Sequence, residues 1–190
     1  MSKFHEVEFK YDASNIDMGQ FRDAVYLWFD VKREVTISGY DDYYTSGTQY
    51  LRHRYNADKA ELTVKRRHTA ASTAVRDEVD VKIGEGQARE VGELAKLLGY
   101  QHDFTIYKTC QIYFLADVNI VYYIVYTASM QERGRIVEIE ANKDYTGDSL
   151  EAIVKAERLL GVNFLDYISE SNRLNKTMHE LYTEVNNAST

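Results

Sequence analysis

Charged residues spaced two apart are the feature of this chain that could do chemistry. Glu6 and Glu8, Arg52 and Arg54, and Glu138 and Glu140 repeat a like charge on alternate positions, and Thr63-Lys65-Arg67 and Arg76-Glu78-Asp80-Lys82 extend the pattern. In a strand, residues two apart share a face. Like charges there repel unless something of opposite sign lies between them. Paired carboxylates offer hard oxygen donors, which suit Mg²⁺ or Mn²⁺ rather than structural zinc. Lys10, Arg52, Arg54, Lys65, Arg67, Arg76 and Lys108 can surround a polyanion, the arginines bidentately. Acids at one end of a site and bases along its length suit a metal-bound triphosphate, because phosphoryl transfer depends mainly on positioning and charge neutralisation. One such doublet is ordinary on a solvent-facing strand. Five strands with charges two apart ask to be read together.

The elements that must position these residues are legible as periodicities. Apolar and polar residues alternate in Phe4–Tyr11, Val31–Ser38, Gln49–Asn56, Glu61–His68, Val75–Ile83, Phe104–Leu115, Asn119–Thr127 and Arg135–Asn142, with Asp41–Ser46 a shorter candidate, so eight or nine strands are expected. Helical spacing marks Met18–Trp28, Gln87–Leu98, Ser149–Leu160 and Ser171–Val185, with Gly99 and Gly161 where C-caps are expected. Strands dominate and helices interrupt them singly, which predicts an antiparallel α+β arrangement rather than a doubly wound parallel sheet. The helices need apolar strand faces to pack on, so the charged faces must point the other way. If the sheet curls closed with the helices outside, those faces line an interior.

Composition sets the outer limits. The 190 residues fit one domain, and no break or linker divides them, with strands over about 4–142 and C-terminal helices over about 148–186. A net charge of −7 argues against a general nucleic-acid or anionic-membrane binder, so an anionic ligand needs a local basic site. One cysteine, Cys110, excludes an internal disulfide, and no apolar run suits a signal peptide or a membrane helix; a cytoplasmic protein without a membrane partner is expected. Sixteen tyrosines lean the balance further toward strands.

EVEFK at 6–10 resembles the ExExK signature of the CYTH superfamily, the triphosphate tunnel metalloenzymes. The resemblance extends in order from about residue 4 to 142: LRHR is similar to the family's R-x-R strand, LTVK to its Lys strand, RDEVDV to its Arg-and-acid strand, IYK to its later Lys strand and VEIE to its closing E-x-E strand. It implies an eight-stranded antiparallel barrel, or tunnel, with a charged interior. It further implies Glu6, Glu8, Glu138 and Glu140 in the metal positions, Lys10, Arg52, Arg54, Lys65, Arg76 and Lys108 on the triphosphate, with Arg67 on the same strand face as Lys65, and Glu78 and Asp80 as supporting acids. Members hydrolyse inorganic, thiamine, nucleoside or RNA 5′-triphosphates, one branch cyclises ATP, and homodimers are common. Nucleic acid is thus expected only as an RNA 5′-triphosphate end.

Two departures stand out. Where the family commonly reads K-x-R, this chain has Lys108-Thr109-Cys110, and the Asp often found before the closing strand has no clear equivalent in VNIVYYIVYTASM. The leading expectation is a Mg²⁺- or Mn²⁺-dependent triphosphate hydrolase with Lys10 and Glu8 assisting an attacking water. An adenylyl cyclase of the same fold and a non-catalytic nucleotide or polyphosphate binder are the alternatives, the latter prompted by Cys110. Cys110 itself reads as a buried thiol on the tunnel wall, Trp28 as core, and the five histidines as surface or loop residues without ligand spacing.

Overall fold

The computed structural model describes residues 4–47, 49–56, 60–67, 75–84 and 87–187, and of these not the side chains of residues 4–6, 65–67, 75–78, 88 and 184–187. Its elements run β1 (Phe4–Asp12), α1 (Met18–Trp28), β2 (Arg33–Ser46), β3 (Gln49–Tyr55), β4 (Ala60–Arg67), β5 (Val75–Ile83), α2 (Ala88–Leu97), β6 (Gln101–Phe114), β7 (Val118–Thr127), β8 (Glu132–Ala141), α3 (Ser149–Phe164), a 3₁₀ turn at Glu170–Asn172 and α4 (Met178–Asn187). The eight strands close into an antiparallel barrel in the order β1-β5-β4-β3-β2-β6-β7-β8. Among the described residues no helix is long and apolar enough to cross a membrane.

Closure works because the two periodic phases of each strand have different destinations. Phe9, Tyr11, Ile120, Tyr122, Val137 and Ile139 point outward and form one core with Phe21 and Val25 of α1 and Ile153 and Leu160 of α3. Leu51 and Tyr44 do the same beneath Ala95 of α2. At about 25 cal/mol per Å² of apolar area removed from water, burying this outer layer drives the charged phase inward. The expected Val31–Ser38 and Asp41–Ser46 are one strand, β2, whose alternation turns Tyr43 inward and Tyr44 outward; its register against β6 shifts there, with Tyr43 opposite Phe104 and Tyr44 opposite His102, so that Asp103 is the extra residue.

Strand β1 has a divided pairing. Phe4–Val7 pair with β5, whereas Glu8–Asp12 pair with β8. Alongside this second half, Arg173 bridges Tyr11 and the Leu174 N–H donates to the Lys10 carbonyl at 2.8 Å. The segment leading into α4 is thereby fastened to β1.

Four expectations need correction. Gly99 does take a left-handed φ of +84° after α2, but Gly161 lies inside α3, which runs on to Phe164; a Cβ at Gly161 would stand 2.9 Å from the Ile168 carbonyl, so close approach and not capping is its use. The helix expected over Ser171–Val185 begins at Met178, after the strap that carries Arg173. Its Met178 and Tyr182 pack on inward residues, among them Phe104, Tyr123, Val125 and Ile136, so α4 caps one end of the barrel while α1, α2 and α3 lie outside. Trp28 is not core: it is 38% exposed, with its indole N–H donating to Asn163 Oδ1 at 2.6 Å, because Phe21, Ala24 and Val25 form the buried stripe of α1. His53 is fully buried on the outward face of β3, stacked 4.8 Å from Tyr55, contrary to a surface assignment.

Candidate functional site

Closing the first strand against the last sets Glu8 directly opposite Glu140 and Lys10 directly opposite Glu138. These four residues line one cavity of about 240 Å³ within the barrel. Around the rest of the wall stand Arg52 and Arg54 of β3, Glu61 of β4, Asp80 of β5, and Lys108 and Cys110 of β6. Tyr123 and Met178 close the cavity toward α4, where the Tyr123 hydroxyl donates to Met178 Sδ at 2.9 Å and reaches Glu138 Oε2 at 3.3 Å. The sequence-derived residues Glu8, Lys10, Arg52, Arg54, Lys108, Glu138, Glu140 and Asp80 thus come together across strands far apart in the chain. The side chains of Glu6, Lys65, Arg67, Arg76 and Glu78 lie outside the described residues; their backbones place Glu6 opposite Arg76, Lys65 opposite Glu78 and Arg67 opposite Arg76.

The repulsion expected within the doublets is relieved from inside the protein. The Lys10 ammonium pairs with Glu8 and lies 3.3 Å from Glu138 Oε2, both lysine and Glu8 being almost wholly buried. Arg52 donates to Thr63 Oγ1 at 3.0 Å and lies 3.8 Å from Glu61, while Thr63 donates to Asp80 Oδ1 at 2.8 Å and Lys143 reaches Asp80 Oδ2 at 3.0 Å. Acid and base alternate around the cavity instead of segregating, so the charge argument located the residues while misjudging what balances them.

The sequence reading missed Asp41. It is fully buried, opposite Arg54 in register, and accepts from Arg54 Nε at 2.8 Å and Nη2 at 3.1 Å and from Lys108 Nζ at 2.5 Å. Burial alone would push its carboxyl up, but Arg54 and Lys108 overcome that and hold it well below the usual carboxylate range. Burial, with help from Arg54, lowers the Lys108 ammonium, and Asp41 pulls the other way. Asp41 and Asp42 open the short strand candidate Asp41–Ser46, and only the inward phase of β2 separates their roles.

Cys110 sits beside these cations, and burial pushes its thiol up despite Lys108 and Arg54, which leaves it protonated rather than a thiolate nucleophile, as expected. Burial and the nearby Glu138 raise the Tyr123 phenol in the same way.

For a metal, the donor set is the test. Among the described residues no three carboxylate, imidazole or thiol groups gather closely enough to hold an ion by themselves. Glu8, Glu138 and Glu140 are nevertheless hard oxygen donors on one cavity, two of them register partners. Mg²⁺ is ordinarily held by one or two carboxylates, with substrate phosphates and water completing its shell. These residues fit a Mg²⁺ or Mn²⁺ ion that arrives with its polyanion.

No family model matches the chain, and no curated protein does either. Solved structures do. A conserved hypothetical protein from Pyrococcus furiosus aligns with a TM-score of 0.71 at 24% identity, covering 93% of this chain and 99% of its own. A candidate adenylate cyclase from Vibrio parahaemolyticus aligns at 0.66 with 17% identity over 96% and 99%. The fold is the one the CYTH resemblance implied. A chain of the Mediator head module of Schizosaccharomyces pombe also aligns, at 0.61 with 10% identity over 87% of this chain and 96% of that one. At these identities the likeness is one of fold, and the same barrel serves different settings.

Proposed function

We propose that this chain is a divalent-metal-dependent triphosphate hydrolase acting on a triphosphate held within the barrel. One observation carries the reading: one cavity within the barrel brings together the carboxylates of Glu8, Glu138 and Glu140 and the cations Arg52, Arg54 and Lys108, with Lys10 among the first group and Glu61 and Asp80 among the second. Mg²⁺ or Mn²⁺, held by Glu8, Glu138 and Glu140 with substrate oxygens, would supply charge neutralisation at the phosphoryl groups. The chain supplies the remainder. Arg52 orients the polyanion through charge-assisted hydrogen bonds, fixed in turn by Thr63 and Asp80. Lys10, held between Glu8 and Glu138, presents its ammonium to the terminal phosphoryl group. Glu8 accepts the proton of the attacking water in this reading. The α4 cap and its apolar contacts exclude bulk water from that end.

A second reading, sequestration of a nucleotide or polyphosphate without turnover, is favoured by the internal carboxylate that Arg54 and Lys108 already carry. Orthophosphate release from inorganic triphosphate, thiamine triphosphate, ATP and GTP with Mg²⁺ or Mn²⁺ separates the readings. We expect orthophosphate; pyrophosphate with a cyclic product from ATP would mean a cyclase, and binding without either product would mean sequestration. Glu140→Gln should cut metal-dependent release at least a hundredfold while the protein stays folded, and undiminished release in a folded variant would remove Glu140 from the site.

A further inference from the structure

The wall opposite the acids is weaker as an anion site than its sequence suggests. Arg54 turns its Nε–Nη2 edge, the fork that would grip a phosphate, onto the Asp41 carboxylate, and Lys108 points at the same carboxylate. Asp41 has 1% side-chain exposure and Lys108 7%, whereas Arg54 keeps 40% toward the lumen, so the acid backs the two cations from behind. All three stand on paired strands, with Asp41 opposite Arg54 and Gly39 opposite Lys108, so the register holds the three groups side by side. Two cations therefore present one net positive charge to a ligand. Cys110, two residues along β6, adds none.

We propose that Asp41 is a built-in counter-anion that acts through Arg54 and Lys108 to set how strongly the tunnel distinguishes a triphosphate from a diphosphate. In a polyanion site without it, each added phosphoryl group meets further positive charge and tightens binding. Here the added charge meets a wall already half neutralised, so the third phosphoryl group gains little. Asp41 is a positioning residue, touching the cations and not the ligand, and this role rests on the polyphosphate-binding reading above.

The test compares inorganic diphosphate and triphosphate, each titrated with Mg²⁺ against the parent protein and Asp41→Asn, with orthophosphate release followed alongside. The asparagine keeps an acceptor oxygen for Arg54 and removes the negative charge. In the parent we expect the two affinities within about threefold of each other. In Asp41→Asn triphosphate should tighten about tenfold or more, diphosphate much less, and the salt dependence of triphosphate binding should steepen. A purely structural role predicts weaker binding of both ligands and no change in their ratio, and that result would overturn the proposal. The parent ratio requires no variant: triphosphate bound tenfold more tightly than diphosphate refutes the counter-anion while leaving the hydrolase reading in place. If the parent binds neither ligand and Asp41→Asn binds triphosphate, the counter-anion stands and the hydrolase reading falls. If neither protein binds either, both fall.

Discussion

Replacing Arg173 by methionine tests whether the strap beside β1 is held by its ion pair. Arg173 Nε donates to Glu157 Oε1 at 2.7 Å and Nη2 to Oε2 at 2.5 Å, and the Tyr11 hydroxyl donates to the same Oε1 at 2.8 Å. The Glu157 side chain is 5% exposed and that of Arg173 19%, with the guanidinium 3.8 Å over the Phe9 ring. Methionine retains most of the contact with Phe9 but leaves the carboxylate with Tyr11 as its remaining partner among these three. Removing one member of a buried pair costs about 3–5 kcal/mol, and the partial exposure of Arg173 puts this case near the lower end, about 3 kcal/mol. For a chain of this size about 1 kcal/mol corresponds to roughly 2–4 °C, so Tm should fall by about 6–12 °C in thermal unfolding followed by circular dichroism. Adding Glu157→Gln, which keeps an acceptor for Tyr11 and removes the stranded charge, should restore at least half of that loss. A single variant within about 1 kcal/mol of the parent, or a double variant no better than the single, would show that the pair does not fasten the strap.

Further outcomes follow from burial and close packing. Burial lowers the His53 imidazole below its ordinary value against smaller opposing pulls from Asp42 and Asp41, so the folded protein binds fewer protons than the unfolded chain. Stability is then complete above about pH 6.5 and falls as the pH drops below it, by up to about 1.4 kcal/mol per pH unit, and His53→Gln should flatten that limb of a Tm-versus-pH curve. Parallel curves for parent and variant would assign the acid sensitivity elsewhere. Gly161→Ala should destabilise by about 1–3 kcal/mol in urea unfolding although alanine is the better helix former, because its Cβ would meet the Ile168 carbonyl. A gain in stability would show that the turn after α3 yields.

Alternation made most of the barrel legible, because its apolar phase is bound to the outer helices and its charged phase must then face inward. The doublets Glu138/Glu140 and Arg52/Arg54 were found for that reason. Asp41 was not, since two consecutive aspartates fall one on each phase and do not by themselves say which of them faces inward. Trp28 and His53 failed for a related reason: hydrophobicity ranks a residue type, whereas burial depends on which neighbour covers it. The α4 cap was hidden because its apolar stripe resembles that of any surface helix. Nothing in the spacing says that this stripe meets the inward faces of β6, β7 and β8.

The divided pairing of β1 has a consequence for how the chain acquires its form during synthesis. β1, which carries Glu8 and Lys10, leaves the ribosome before its partners, which arrive as Val75–Glu78, then Ile136–Glu140, and finally Arg173. Until the last of these emerges, the strand cannot complete its ladder, and its outward residues Phe9 and Tyr11 have no α3 to cover them. At about 5–20 residues per second, about 8–30 seconds pass with that segment unfinished. Contacts so distant in sequence also make closure slow once the chain is complete. The alternating charges of this strand then have a second use, since Glu6, Glu8 and Lys10 interrupt an otherwise apolar segment and guard it against pairing with another nascent chain.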